Sequence, residues 1–184
     1  MQLFAQTAEN LSKESGSLNK IEIVSNALSK IKDQRELYLF CLYLTGYIYP
    51  TSIQKTINVG KALLRDAAVK LTEISVEEWN EEYRKFGETG ETIEALLTAK
   101  LSGTLRQPKG RRQAQGDNVM VSLSNHDSTI PTYKPDPKYS LQQLSELIDK
   151  LNETSGSLAK VEILSELLSR LDPLSAKYAA KLLL

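Results

Sequence analysis

The sequence contains one cysteine, one histidine and one tryptophan: Cys41, His126 and Trp79. A lone cysteine closes no disulfide within the chain. Its place in the apolar segment "LYLFCLYLTG" reads as a buried thiol in a reducing compartment. A lone histidine supplies at most one member of a metal cluster or catalytic triad. No apolar run approaches the ~20 residues that cross a bilayer. The N-terminus shows no basic region followed by an apolar run, so no secretory signal is visible and no membrane partner is expected. The phosphate-loop pattern GxxxxGK[ST] is absent, which leaves nucleotide binding unsupported. Net charge is also missing. Lys+Arg and Asp+Glu number 23 each over 184 residues, so any electrostatic footprint must come from where the charges sit. These absences describe an intracellular protein with an ordinary globular composition.

What is present is helical periodicity along most of the chain. Phe4, Ala8 and Leu11 recur at helical spacing, as do Ile21, Val24, Leu28 and Ile31. Asp33 with Glu36 forms a capping-box pattern ahead of the apolar segment that ends at Gly46. "NVGKALLRDAAVKL" (58–71) reads as a helix with Ala62, Leu63, Ala67 and Leu71 inward. Ser75 with Glu78 and Ser140 with Gln143 make two more capping boxes, and Gly87 closes the helix that Ser75 opens. A short helix is expected from about Thr89 to Leu101. Leu141, Leu144, Ile148 and Leu151 form an apolar stripe, and Asp172 with Pro173 opens the last helix. Between these blocks, residues 103–139 hold four of the six prolines and the basic cluster Lys109, Arg111 and Arg112. That composition predicts a mobile surface linker, with "NVMVSLS" (118–124) as a short candidate strand and His126 solvated within it.

The chain repeats itself. "SGSLNKIEI" begins at Ser15 and "SGSLAKVEI" begins at Ser155, an offset of 140. The same shift pairs Phe4 with Leu144, Leu11 with Leu151, Leu28 with Leu168, Tyr38 with Tyr178 and Leu42 with Leu182. The expected fold is therefore a single all-α domain over 1–184. It would contain two related three-helix units (4–44 and 144–184) about an internal pseudo-twofold axis, with a helical middle at 58–101.

Both copies place a lysine where a helix begins, Lys20 and Lys160, three residues after the expected N-caps Ser17 and Ser157. A cation there opposes the helix dipole by roughly 0.3–1 kcal/mol. Ser15, Gly16 and Ser17, like Ser155, Gly156 and Ser157, also offer backbone amides and hydroxyls, so each copy is suited to an anion such as phosphate. The plainer reading is a pair of solvated lysines, and the sequence leaves both open. "NVGK", with Asn58, Gly60 and Lys61, has the same chemistry at another helix start. The segment "KGRR" (109–112) serves equally as phosphate contact or solubilising linker. Trp79, Tyr83 and Phe86 lie at helical spacing and read as core, while the carboxylates of "EEWNEEYRKFGETGE" read as a solvated face. No catalytic constellation emerges.

In combination, "FAQTAENLSKESGSLNKIEIVSNALSKI", "LYLTGYIYP", "NVGKALLRDAAVKL", "RKFGETGETIEALL" and "LSELIDKLNETSGSLAKVEILSELLSRLDPLSAKYAAKLLL" resemble the N-terminal DNA-binding domain of ATP-dependent DNA ligases. The resemblance covers the chain apart from 103–139. It implies a non-catalytic helical module that lies against the minor groove on both sides of a nick. Ser15, Gly16, Ser17, Lys20, Asn58, Gly60, Lys61, Ser155, Gly156, Ser157 and Lys160 would then hold backbone phosphates, contacts that position without reading bases. It implies as partners duplex DNA and the adenylation and OB-fold domains of a ligase, and as setting the cytoplasm, nucleoid or nucleus. The family's nucleophilic lysine, in a K-x-D-G string, is absent, so ATP and magnesium are expected only with the catalytic domains. A helical protein–protein interaction scaffold is the alternative.

Overall fold

A computed structural model describes residues 1–53, 55–105 and 130–184, and these residues form an all-α structure. Nine helices run in order among them: α1 (Gln2–Lys13), α2 (Ser17–Leu28), α3 (Gln34–Leu44), α4 (Lys61–Thr72), α5 (Val76–Phe86), α6 (Thr89–Leu101), α7 (Leu141–Glu153), α8 (Ser157–Arg170) and α9 (Pro173–Leu183). The candidate strand at 118–124, the "KGRR" segment and His126 lie outside the described residues.

Capping chemistry explains most boundaries. Ser75 and Ser140 each make the complete reciprocal box, with Glu78 and Gln143. In α5, Glu77 and Glu78 sit at the positive end of the helix and Arg84 and Lys85 at the negative end, and Gly87 closes it at φ +71°. Asp172 caps α9 through the Ser175 amide, with Pro173 at the first helical position. Lys100 donates to the Leu71 carbonyl at 2.7 Å, satisfying the C-terminal end of α4 from another helix.

The expected box at α3 is only half made. Asp33 accepts from the Glu36 amide, but the Glu36 carboxylate accepts from the Leu141 and Gln142 amides instead, at 3.2 and 3.0 Å. One unit thus caps the first helix of the other. The interaction belongs to a wider exchange: α1 packs on α9, and α3 packs on α7. Phe4 is the hub, meeting Phe40, Tyr43 and Tyr178 edge-on with ring centroids 6.0–6.5 Å apart. The Met1 ammonium donates to the Tyr139 carbonyl, tying the chain start to the residues just before α7.

The middle helices cover the second unit. α4 lies on α8 and α6 on α9. Small residues let α4 and α8 approach closely: Ala67, Ala68 and Ser165 are fully buried, and the Ser165 hydroxyl donates to the Ala67 carbonyl at 3.2 Å. Gly90 does the same for α6. A Cβ added there would stand 2.9 Å from the Lys177 carbonyl oxygen, so only glycine allows this spacing.

Several expected faces turn out differently. Cys41 is exposed, because Leu39, Phe40 and Tyr43 carry the inner face of α3 and Cys41 points away from them. Ile21 is 65% exposed, and Ala27 is the buried residue of α2. Ala62 is exposed, and the inner face of α4 is built from Leu64, Ala67, Ala68 and Leu71. Trp79 is buried as expected, but Phe86, at the helix end, is exposed. The segment expected to be a mobile linker is, over 133–139, fastened to the end of α8. Lys134 and Asp136 donate from their amides to Ser169 and Arg170, the Tyr133 hydroxyl donates to Leu171, and Tyr139 is buried.

Candidate nucleic-acid interface

The two copies of "SGSL" open their helices one residue earlier than sequence reasoning placed them. Gly16 and Gly156 are the N-caps, and Ser17 and Ser157 take the first helical position, with no side-chain cap in either copy. Lys20 and Lys160 consequently sit at the fourth position, where the cost against the dipole is fading. Neither first turn contains an acidic residue. Leu18 and Leu158, at the second position, are each 81% exposed. Two leucines projecting equally into solvent at equivalent sites do nothing for the core, and sequence reasoning overlooked them. Their signal was available, since the repeated phrase places an apolar residue one step into each helix.

Around this shared plan the copies differ. Ser15, Ser17 and Lys20 are exposed, whereas Lys160 is half-buried and donates to the Asn58 carbonyl at 3.3 Å. The structure therefore brings the second copy's lysine to the loop that leads into α4, next to the exposed Gly60 and Lys61. Gly60 is the N-cap of α4, again without a side-chain cap and without an acid in the first turn. Gly156 adopts φ +91°, a conformation that L residues rarely take, while Gly16 is extended at φ −77°. Glu162 bridges to Lys70 of α4 at 3.7 Å, so the acid that follows the second lysine has a partner of its own.

The carboxylates of "EEWNEEYRKFGETGE" (77–91), read as a solvated face, include several with defined partners, and Glu94 beyond that segment has one too. Glu88 and Glu91 pair with Lys181 at 2.9 and 3.8 Å, and Glu94 pairs with Lys177 at 3.1 Å. Glu91, Glu94 and Lys177 also line an open pocket of about 580 Å³, but there they serve the packing of α6 on α9. Among the described residues, no group of three His, Cys, Asp or Glu side chains is placed to hold a metal ion. Likewise, no described helix is long and apolar enough to cross a membrane.

Residues 1–184, the whole chain, match the family described as "DNA ligase N terminus". The chain belongs to that family. Its DNA ligase relatives include that of Archaeoglobus fulgidus, 25% identical over 98% of this chain and 28% of the relative. The DNA ligase of Methanoculleus marisnigri is 33% identical over 53% of this chain and 18% of its own. A probable DNA ligase of Koribacter versatilis is 26% identical over 98% of this chain and 26% of its own. This ligase N-terminal sequence thus spans about a quarter of the length of relatives that it matches almost end to end.

Proposed function

We propose that this ligase N-terminal chain is a non-catalytic DNA-binding module that grips duplex backbone phosphates along the minor groove on both sides of a nick. The observation that carries this reading is the doubled helix start: the same glycine N-cap, exposed leucine and fourth-position lysine in α2 and α8. Uncapped helix N-termini with an adjacent lysine suit phosphate, and a bare leucine beside them suits the apolar faces of deoxyribose. The α4 start, with Asn58, Gly60 and Lys61, would extend the second grip through Lys160. A pseudo-twofold relation between the units would put one grip on each flank. It is supported by the matching helix order at an offset of 140 and by the reciprocal α1–α9 and α3–α7 packing.

On this reading the K-x-D-G lysine, ATP and magnesium belong to adenylation and OB-fold partners within a ligase, and the module works inside the cell where DNA is. The neutral net charge predicts modest affinity, and the salt dependence should grow with each phosphate neutralised, through counterion release. Fluorescence anisotropy on nicked and intact duplexes tests this. Binding should be visible at low salt, weaken with added salt and be indifferent to base sequence. Sequence-independent failure to bind at low salt would favour the scaffold alternative, for which the exposed Tyr38 and Tyr47 are the supporting feature.

A further inference from the structure

The two grips are not equivalent, and the difference lies at one residue of the first copy. We propose that Glu14 is a built-in competitor for phosphate at the α2 start, which makes the first grip the weaker one and the second the anchor. This inference rests on the phosphate reading above. Glu14 follows α1 directly, and its carboxylate folds over the start of α2. One oxygen accepts from the Gly16 amide at 2.7 Å and the other from the Asn19 side-chain amide at 3.2 Å. A Cβ built on Gly16 would meet the same Glu14 oxygen at 3.2 Å and Asn19 at 3.4 Å, so the clamp closes tightly around the glycine. The Gly16 hydrogen bond, with help from Asn19, holds the Glu14 carboxyl below the usual carboxylate range. An anion of the chain's own therefore stays ionised on the amide that a phosphate oxygen would use.

The second copy lacks both halves of this clamp. At the offset of 140, Glu14 becomes Thr154 and Asn19 becomes Ala159. The Thr154 hydroxyl donates back to the Lys150 carbonyl, and alanine has nothing to donate. The backbone follows suit, with Gly156 at φ +91° against −77° at Gly16. Four identical letters thus enter their helices by different routes, and only the first route ends on a carboxylate. A phosphate arriving at α2 must displace Glu14 or accept its repulsion, and one arriving at α8 meets neither.

Anisotropy with a labelled duplex at several salt concentrations tests the idea, using Glu14→Thr, the charge-matched control Glu22→Thr on the exposed side of α2, and the graft Thr154→Glu with Ala159→Asn. Glu14→Thr should tighten binding by roughly 3–10-fold and steepen the slope of log affinity against log salt by about 1, because one more phosphate is neutralised. Glu22→Thr should change affinity less than about 2-fold, and the graft should weaken it by a factor comparable to the improvement from Glu14→Thr. Circular dichroism melts confirm that each variant is folded. If Glu14→Thr binds no tighter than Glu22→Thr while Lys20→Glu still weakens binding, the competitor idea fails and the phosphate reading survives. If the unmutated chain binds no duplex at low salt, both fail.

Discussion

Replacing Lys177 by methionine is expected to lower the unfolding free energy by about 2–4 kcal/mol, one of the largest single-site effects in the chain. Lys177 is 8% exposed, and its ammonium group stands 2.9 Å from Glu9 and 3.1 Å from Glu94. It joins the first helix of one unit, the middle layer and the last helix of the other. Methionine keeps most of the apolar stem, so what is lost is the charge, and two carboxylates are left facing a half-buried gap. Burial alone would lower the Lys177 pKa, but the hydrogen bonds to Glu9 and Glu94 outweigh it and raise it. Glu9 moves the other way, from 4.5 to about 2, held down first by Lys13, then by Lys177, with the Tyr178 hydroxyl also donating to it.

The sign follows from Glu9. Its folded-state pKa lies below its unfolded value, so its share of stability is complete above about pH 4.5 and is lost as pH falls towards 2. In denaturant titrations the gap between the parent chain and Lys177→Met should be widest at neutral pH and narrow over that acid range. In thermal melts at pH 7 the loss corresponds to a drop of roughly 5–15 °C. A gap that stayed constant from pH 7 to pH 2.5 would show that Lys177 acts through packing and not through charge.

How much of this was legible in the sequence depends on how far the deciding interaction reaches. Ser75, Ser140, Asp172 and Gly87 were readable because caps are local: donor and acceptor lie within three or four residues. Glu36 was misread because its carboxylate is taken by α7, 105 residues away in the chain. Ile21 and Cys41 were misread because periodicity identifies a helix face but not whether another helix covers it. The repeat shows the same limit. Ile163, Leu164, Ser165 and Leu168 of α8 are all buried, while their counterparts Ile23, Val24, Ser25 and Leu28 of α2 are half-buried or exposed. α4 lies on α8, while α2 packs chiefly on α1, so the same pattern of letters has different surroundings. Tyr178, 9% exposed and bonded to Glu9, and Tyr38, 53% exposed, differ in the same way, with α6 lying on α9.

The candidate site was legible as a motif and not as a geometry. The repeated phrase pointed to both helix starts and to the lysines. It could not show that the glycines are the caps, that Lys160 reaches Asn58, or that Glu14 closes over Gly16. Only the Glu14–Thr154 mismatch at the 140-residue offset offered a hint of that last difference.

If both repeated lysines hold backbone phosphate, charge reversal reads it out. Lys20 is exposed at the fourth position of α2, so Lys20→Glu should change folding stability by no more than about 0.5 kcal/mol. Lys160→Glu also gives up the bond to the Asn58 carbonyl and should cost somewhat more. Lys160→Glu should weaken duplex binding by about tenfold at moderate salt, or about 1.4 kcal/mol, because an attraction to phosphate is replaced by a repulsion. Lys20→Glu should weaken it by less, because Glu14 already competes at that helix start. The loss should be the same for every base sequence, because phosphates carry no sequence information directly. Two lysines acting on separate flanks should add, so the double variant should lose the product of the two single factors. Salt-dependent anisotropy on the parent chain, the two single variants and the double variant is the deciding measurement. The slope of log affinity against log salt should shrink by about 1 for Lys160→Glu and by less for Lys20→Glu. A folded double variant with unchanged affinity and slope would contradict it and leave the repeated lysines as solvated surface.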